Sequence, residues 1–126
     1  MNLDIGVDIV SVERIEQSIE RYGEIFLKRI FTEKERAYCY LLKSRPTLRF
    51  ASRYAGKEAV AKALGSGIGK HLSWQDIEIL PEKQNKPRVT LSEKAYHFFN
   101  KPNIIISLSH EKEFAVAYAL VQSRPA

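Results

Sequence analysis

Residues 47–64 read TLRFASRYAGKEAVAKAL, opened by Pro46 and closed by Gly65. One glycine, Gly56, and no proline interrupt a run rich in alanine and in long polar side chains, the residues with high helix propensity. Pro46 suits a first helical turn, and Gly65 suits a left-handed C-terminal cap. The spacing predicts one long helix ending near Gly65, and it is the central element of the chain. Ala51, Ala55 and Ala59 recur every fourth residue, a small-residue face against which a strand can lie. Glu58 and Lys62 are also four apart and project from the same side of the helix.

Working outward, Leu3, Ile5, Val7 and Ile9 alternate with Asp4, Gly6, Asp8 and Val10. A period of two predicts a strand with Leu3 to Ile9 facing the core and Asp8 on the opposite face. Val12, Ile15, Ile19, Tyr22 and Phe26 follow at steps of three and four, an amphipathic helix whose other side shows Glu13, Arg14, Gln17 and Arg21. Thr32 and Glu35 have capping-box spacing, so a second helix is expected from Thr32 to about Leu42. Beyond the long helix lies the glycine-rich loop GSGIG, residues 65–69. Ile77 and Ile79 begin a strand, Gln84 to Pro87 turn the chain, and Val89 and Leu91 form its antiparallel partner. Ser92 to Asn100 suits a short helix. Ile104–Leu108 and Phe114–Val121 are apolar runs joined by HEKE, a closing hairpin, and SRPA is a frayed tail. The expectation is an α+β fold of one domain, residues 1–126, with an antiparallel sheet packed around the long helix.

A chain of 126 residues suits one core. Its 44% hydrophobic and 28% charged residues are the balance of a globular protein rather than of a disordered or membrane-spanning one. No apolar run approaches the roughly 18 residues that span a bilayer, and the N-terminus carries acids where a signal peptide needs bases. Cytoplasmic location is expected, with no membrane partner. Cys39 is the only cysteine, which excludes an intrachain disulfide, and its neighbours Tyr38, Tyr40 and Leu41 mark it as packing. The net charge of +5 is uneven: residues 28–62 hold ten Lys or Arg against three Glu, and the rest ten against twelve acids. The middle of the chain therefore meets something negative, whether nucleic acid, a phosphorylated cofactor or an acidic protein.

The chemistry gathers on few residues. Gly6 beside Asp8 leaves room for a ligand or a second backbone, so Asp8 and Glu58 can converge across the small-residue face. Two hard carboxylates with room for water suit Mg²⁺, which takes one or two protein carboxylates and completes its octahedron with water and phosphate oxygens. Lys62 lies one turn on, positioned to neutralise a phosphate, and the GSGIG loop lets backbone amides approach. A bland surface Glu–Lys helix pair is the competing account of Glu58 and Lys62.

Ile5-Gly6-Val7-Asp8, together with RFASRYAGKEAVAKALGSGI at residues 49–68, resembles the two signature blocks of the holo-acyl-carrier-protein synthase family, the short bacterial phosphopantetheinyl transferases. The likeness extends more loosely through the Asp-Ile-Glu-Ile strand, Lys86-Pro87 and Ser107-Leu108-Ser109-His110. Gly56 departs from it, where a bulkier aliphatic residue is more usual. The resemblance implies transfer of the 4'-phosphopantetheine group of coenzyme A to a serine of apo acyl carrier protein, releasing 3',5'-ADP, in fatty acid biosynthesis. It implies Mg²⁺, with Mn²⁺ as the alternative, held by Asp8 and Glu58 with the diphosphate, and catalytic roles for Asp8, Glu58 and Lys62. Lys62, Arg53, Gly65, Asn85, Pro87, Ser109 and His110 would hold coenzyme A. Arg14, Gln17 and Arg21 would dock the acidic carrier, and members are typically trimers with the site between subunits.

Two other classes compete. A nucleic-acid module would use the basic segment with Phe50 and Tyr54, yet these rings lie four apart among alanines, as core residues do, and no nucleic-acid motif accompanies them. Nucleic acid is therefore not an expected partner. A hydrolase of nucleotides would also suit Asp8, Glu58 and Lys62, and only the length of the resemblance weighs against it.

Overall fold

The computed structural model describes residues 2–124. In chain order the elements are β1 (Asn2–Ser11), α1 (Val12–Tyr22), α2 (Glu24–Ile30), α3 (Glu33–Tyr40), α4 (Pro46–Leu64), β2 (Ile77–Pro81), β3 (Pro87–Leu91), α5 (Glu93–Phe98), β4 (Asn103–His110) and β5 (Phe114–Ser123). The strands form two antiparallel sheets rather than one: β1-β5-β4 and β2-β3. Both pack on α4. The expected α+β class and central helix stand.

Local chemistry sets the boundaries. Pro46 opens α4 and Gly65 closes it at φ 84°, the left-handed cap predicted from the glycine. Thr32 caps α3: its hydroxyl accepts from the Glu35 amide, and the Glu35 carboxylate accepts from the Thr32 amide. Ser11 caps α1, its hydroxyl accepting from the Arg14 amide at 3.3 Å. The amphipathic run through Phe26 is not one helix, because Gly23 at φ 55° breaks it and Phe26 belongs to α2. That break lets α2 turn and bury Leu27 and Ile30. The expected tail is shorter than four residues: Ser123 ends β5 and Arg124 donates to the Lys101 carbonyl at 2.7 Å, while Pro125 and Ala126 lie outside the described residues.

The facing of β1 is the reverse of the one expected. Leu3, Ile5, Val7 and Ile9 are exposed, between 51% and 62%, whereas Gly6 and Val10 are buried and Asp8 is half-buried. Gly6 and Asp8, not the branched residues beside them, face α4. The cause is the small-residue face of the helix, which admits a backbone rather than branched side chains. A methyl group on Gly6 would strike the Ala59 carbonyl and come within 2.7 Å of the Ala63 amide nitrogen. Strand and helix thus touch backbone to backbone, with Ala55 and Ala59 completely buried between them.

Gly56 has a packing reason of the same kind. A methyl there would meet the Ile79, Ile106 and Leu108 side chains at 2.6–3.3 Å, so the glycine lets both sheets close over α4. Phe31 and Phe50, ring centroids 4.9 Å apart, fill the core on the far side of the helix.

Candidate active site

The close approach of β1 to α4 is what builds the site. Asp8 points from β1 toward the last turns of α4, in the same cross-strand row as Ala117 and Leu108. Lys62 donates to Asp8 Oδ1 at 3.1 Å and to the Val7 carbonyl at 3.0 Å. The competing account, a helix-surface pair of Glu58 with Lys62, is not the ion pair formed; Lys62 reaches across to the strand instead. Glu58 still lies within the field of both groups. Burial first, then the charge of Asp8, pushes its carboxyl above the ordinary range, and Lys62 partly offsets this. Asp8, Glu58 and Lys62 therefore come together.

Arg14 stands at the edge of the same cluster. Burial and the charges of Glu58 and Asp8 push the Tyr54 hydroxyl above its ordinary range and Arg14 pulls it down, so these three charged groups all act on one hydroxyl. Tyr54 in turn lines a cleft of about 410 Å³ with Ser18, Tyr22, Ile25, Phe26 and Trp74. Sequence reasoning missed this cleft, because its walls come from α1, α2, α4 and the turn at Trp74. Tyr22 and Phe26, which line it, read in the sequence as the apolar stripe of one helix. Gln17 and Arg21 are exposed on α1 beside it.

The remaining candidates do not gather at Asp8 within one chain. Arg53 is buried, with its guanidinium over the Tyr38 ring and Nε donating to the Ile79 carbonyl at 3.4 Å. Asn85, at φ 60°, lies in the β2-β3 turn, and Pro87 opens β3. Ser109 and His110 end β4, across the three-stranded sheet from β1, and both are exposed. Gly65 caps α4 one turn beyond Lys62.

The other lysine of the Lys-Glu pair is structural. Lys57 is wholly buried and donates to Glu35 Oε1 at 2.7 Å, the Ile30 carbonyl at 2.7 Å and the Trp74 carbonyl at 3.0 Å. Burial outweighs the pull of Glu35 and holds its ammonium below the ordinary lysine range. Cys39 is equally closed off: burial pushes its thiol up to about 12, so it has no thiolate at neutral pH.

Among the described residues no cluster of three or more His, Cys, Asp or Glu exists that would cage a metal by itself. Asp8 and Glu58 are two hard oxygen donors, partly open to solvent. That donor set fits a divalent ion whose other ligands are water and phosphate oxygens, as Mg²⁺ prefers, and does not fit a structural zinc.

The profile of the 4'-phosphopantetheinyl transferase superfamily matches residues 4–119, and the chain belongs to that superfamily. Within it, the chain stands with the holo-[acyl-carrier-protein] synthases. It is 45% identical to the one from Protochlamydia amoebophila, over 98% of this chain and 100% of the relative. It is 44% identical to the one from Chlamydia trachomatis over 94% and 98%. Among solved structures it is similar to the Helicobacter pylori holo-[acyl-carrier-protein] synthase in complex with coenzyme A, at TM-score 0.83 and 39% identity, covering 94% of this chain and 99% of that one. The Bacillus anthracis enzyme, in complex with CoA (3',5'-ADP), matches at TM-score 0.82 and 40% identity over 96% of each chain. No helix among the described residues is long and apolar enough to cross a membrane.

Proposed function

We propose that this chain moves the 4'-phosphopantetheine group of coenzyme A onto a serine of an apo acyl carrier protein, releasing 3',5'-ADP, as a single-domain cytoplasmic enzyme of fatty acid biosynthesis. The observation that carries the reading is the Asp8, Glu58 and Lys62 cluster, at the β1–α4 crossing of a chain with this family membership. Asp8 and Glu58 would hold Mg²⁺, or Mn²⁺ in its place. The ion supplies Lewis-acid polarisation of the diphosphate. Glu58 would help deprotonate the attacking serine hydroxyl. Lys62 balances charge on the departing phosphate, as its exposed ammonium at the mouth of the site allows.

The carrier would approach along α1, with Arg14, Gln17 and Arg21 meeting its acidic surface and the cleft beside Tyr54 taking an apolar side chain. Arg53, Gly65, Asn85, Pro87, Ser109 and His110 stay in the reading as coenzyme A contacts. Their separation from Asp8 in one chain is what a site shared between copies predicts. The exposed apolar face of Leu3, Ile5, Val7, Ile9, Ile105 and Tyr118 supports such assembly, which by the family resemblance would be a trimer.

Intact-mass spectrometry of an apo carrier incubated with the protein, coenzyme A and Mg²⁺ tests this. The carrier gains one phosphopantetheine group, and the gain disappears with EDTA or with Glu58→Gln. A folded, metal-supplied sample that leaves several carriers unmodified would overturn the reading. Light scattering checks the assembly: a trimer for the native chain, and a monomer for Ile5→Asp.

A further inference from the structure

Lys62 is held in an unusual way for a lysine that serves a phosphate. Its ammonium is clasped by two consecutive residues of β1, the Val7 carbonyl at 3.0 Å and Asp8 Oδ1 at 3.1 Å. A backbone carbonyl and a carboxylate on one strand edge form the type of oxygen pair that binds a cation. The lysine ammonium is that cation. Its charge also acts on Glu58 one turn away, opposing the effect of Asp8.

Two further facts make the contact exchangeable. The Lys62 side chain is 52% exposed, whereas that of Asp8 is 17% exposed, so the lysine approaches from solvent and can return to it. Exposed ion pairs contribute little net stability, and a four-carbon stem reorients at small cost. A diphosphate arriving at the end of α4 offers Lys62 stronger partners than one carboxylate oxygen.

We propose that Lys62 is an internal counter-ion that guards Asp8. It neutralises Asp8 while the site is free and transfers to the diphosphate when substrate arrives, baring the carboxylate for the divalent ion. The inference rests on the proposed function and adds an order to it: diphosphate and metal bind cooperatively because each favours the same movement of one side chain. It also gives Lys62 a role before the chemistry as well as during it.

Mn²⁺ binding, followed by the electron paramagnetic resonance of the free ion, separates this device from a fixed charge. Titrations with and without coenzyme A, corrected for the ion that coenzyme A binds by itself, give the factor by which the substrate strengthens Mn²⁺ binding. Lys62→Met should bind Mn²⁺ alone more tightly, by about fivefold or more, and the strengthening by coenzyme A should shrink by a similar factor. Lys62→Gln should behave alike, and circular dichroism should show both variants folded. A fixed positive charge weakens metal binding and favours substrate binding additively, leaving the strengthening factor unchanged. An unchanged factor therefore overturns the inference while the metal reading survives. If the native chain binds no Mn²⁺ even with coenzyme A, or Asp8→Asn and Glu58→Gln leave binding unaltered, the metal reading falls and the inference with it.

Discussion

Lys57 and Lys62 sit five residues apart on α4, which turns them about 140° from each other around the helix. Each meets one carboxylate, and there the likeness ends. Lys57 spends its three protons on Glu35 and two carbonyls, with no exposure to water. Glu35 is as fully used, accepting from the Thr32 and Ile79 amides as well. Lys62 has two acceptors and lies half in solvent. One pair fixes where α2, α3, α4 and β2 meet; the other is a contact that substrate can replace. The difference teaches that a helix can carry a rivet and a movable part of the same chemical type, provided that burial separates them.

The sharpest test of this division starts between the lysines. Glu58→Gln should lower the transfer rate by about two to four orders of magnitude if the carboxylate handles a proton. The same change should raise the thermal unfolding midpoint. The folded-state affinity of Glu58 for its proton is raised, so its contribution to stability is present at acid pH and is lost as pH rises through the raised value. The gain on substitution is thus greatest near neutrality and fades toward pH 4. A rate unaffected by the substitution would move the site elsewhere.

Lys57→Met should cost about 3–5 kcal/mol in denaturant unfolding, because it leaves Glu35 charged and buried. Lys62→Met should stay within about 1 kcal/mol of the native chain while slowing transfer. If both lysines prove equally costly, the contrast between rivet and movable part is broken. Gly6→Ala comes next, at about 1–3 kcal/mol from the forced separation of β1 and α4, with activity falling further than the loss of folded protein explains. The smallest effect is expected at the rim. Arg14→Glu with Arg21→Glu should raise the carrier KM about tenfold and flatten its salt dependence, with kcat nearly unchanged. An unaltered KM would remove α1 from docking.

Much of this was legible in the residues. Pro46, Gly65 and the alanines define α4, and Thr32 with Glu35 marks the start of α3 because capping is local chemistry. The convergence of Asp8 with Glu58 could be anticipated from Gly6, which allows the approach. The facing of β1 could not. Alternation shows that a strand has two faces but not which one meets the helix, and here the small-residue face of α4 admits the Gly6 side of the strand rather than the branched one. The second task of Glu35, pairing Lys57, was also hidden, since nothing in a capping box shows that its carboxylate is buried. Gly56 read only as a departure from the family pattern, because its reason lies in Ile79, Ile106 and Leu108, distant in sequence.

Val7 combines the two sides of β1 in one residue. Its side chain stands on the exposed apolar face, its carbonyl holds Lys62, and Asp8 follows directly. If copies of the chain assemble on that face as proposed, a single peptide unit would separate the seam from the site. Assembly and readiness to react would then be one equilibrium, and the protein's own concentration would act on its active site without any separate effector.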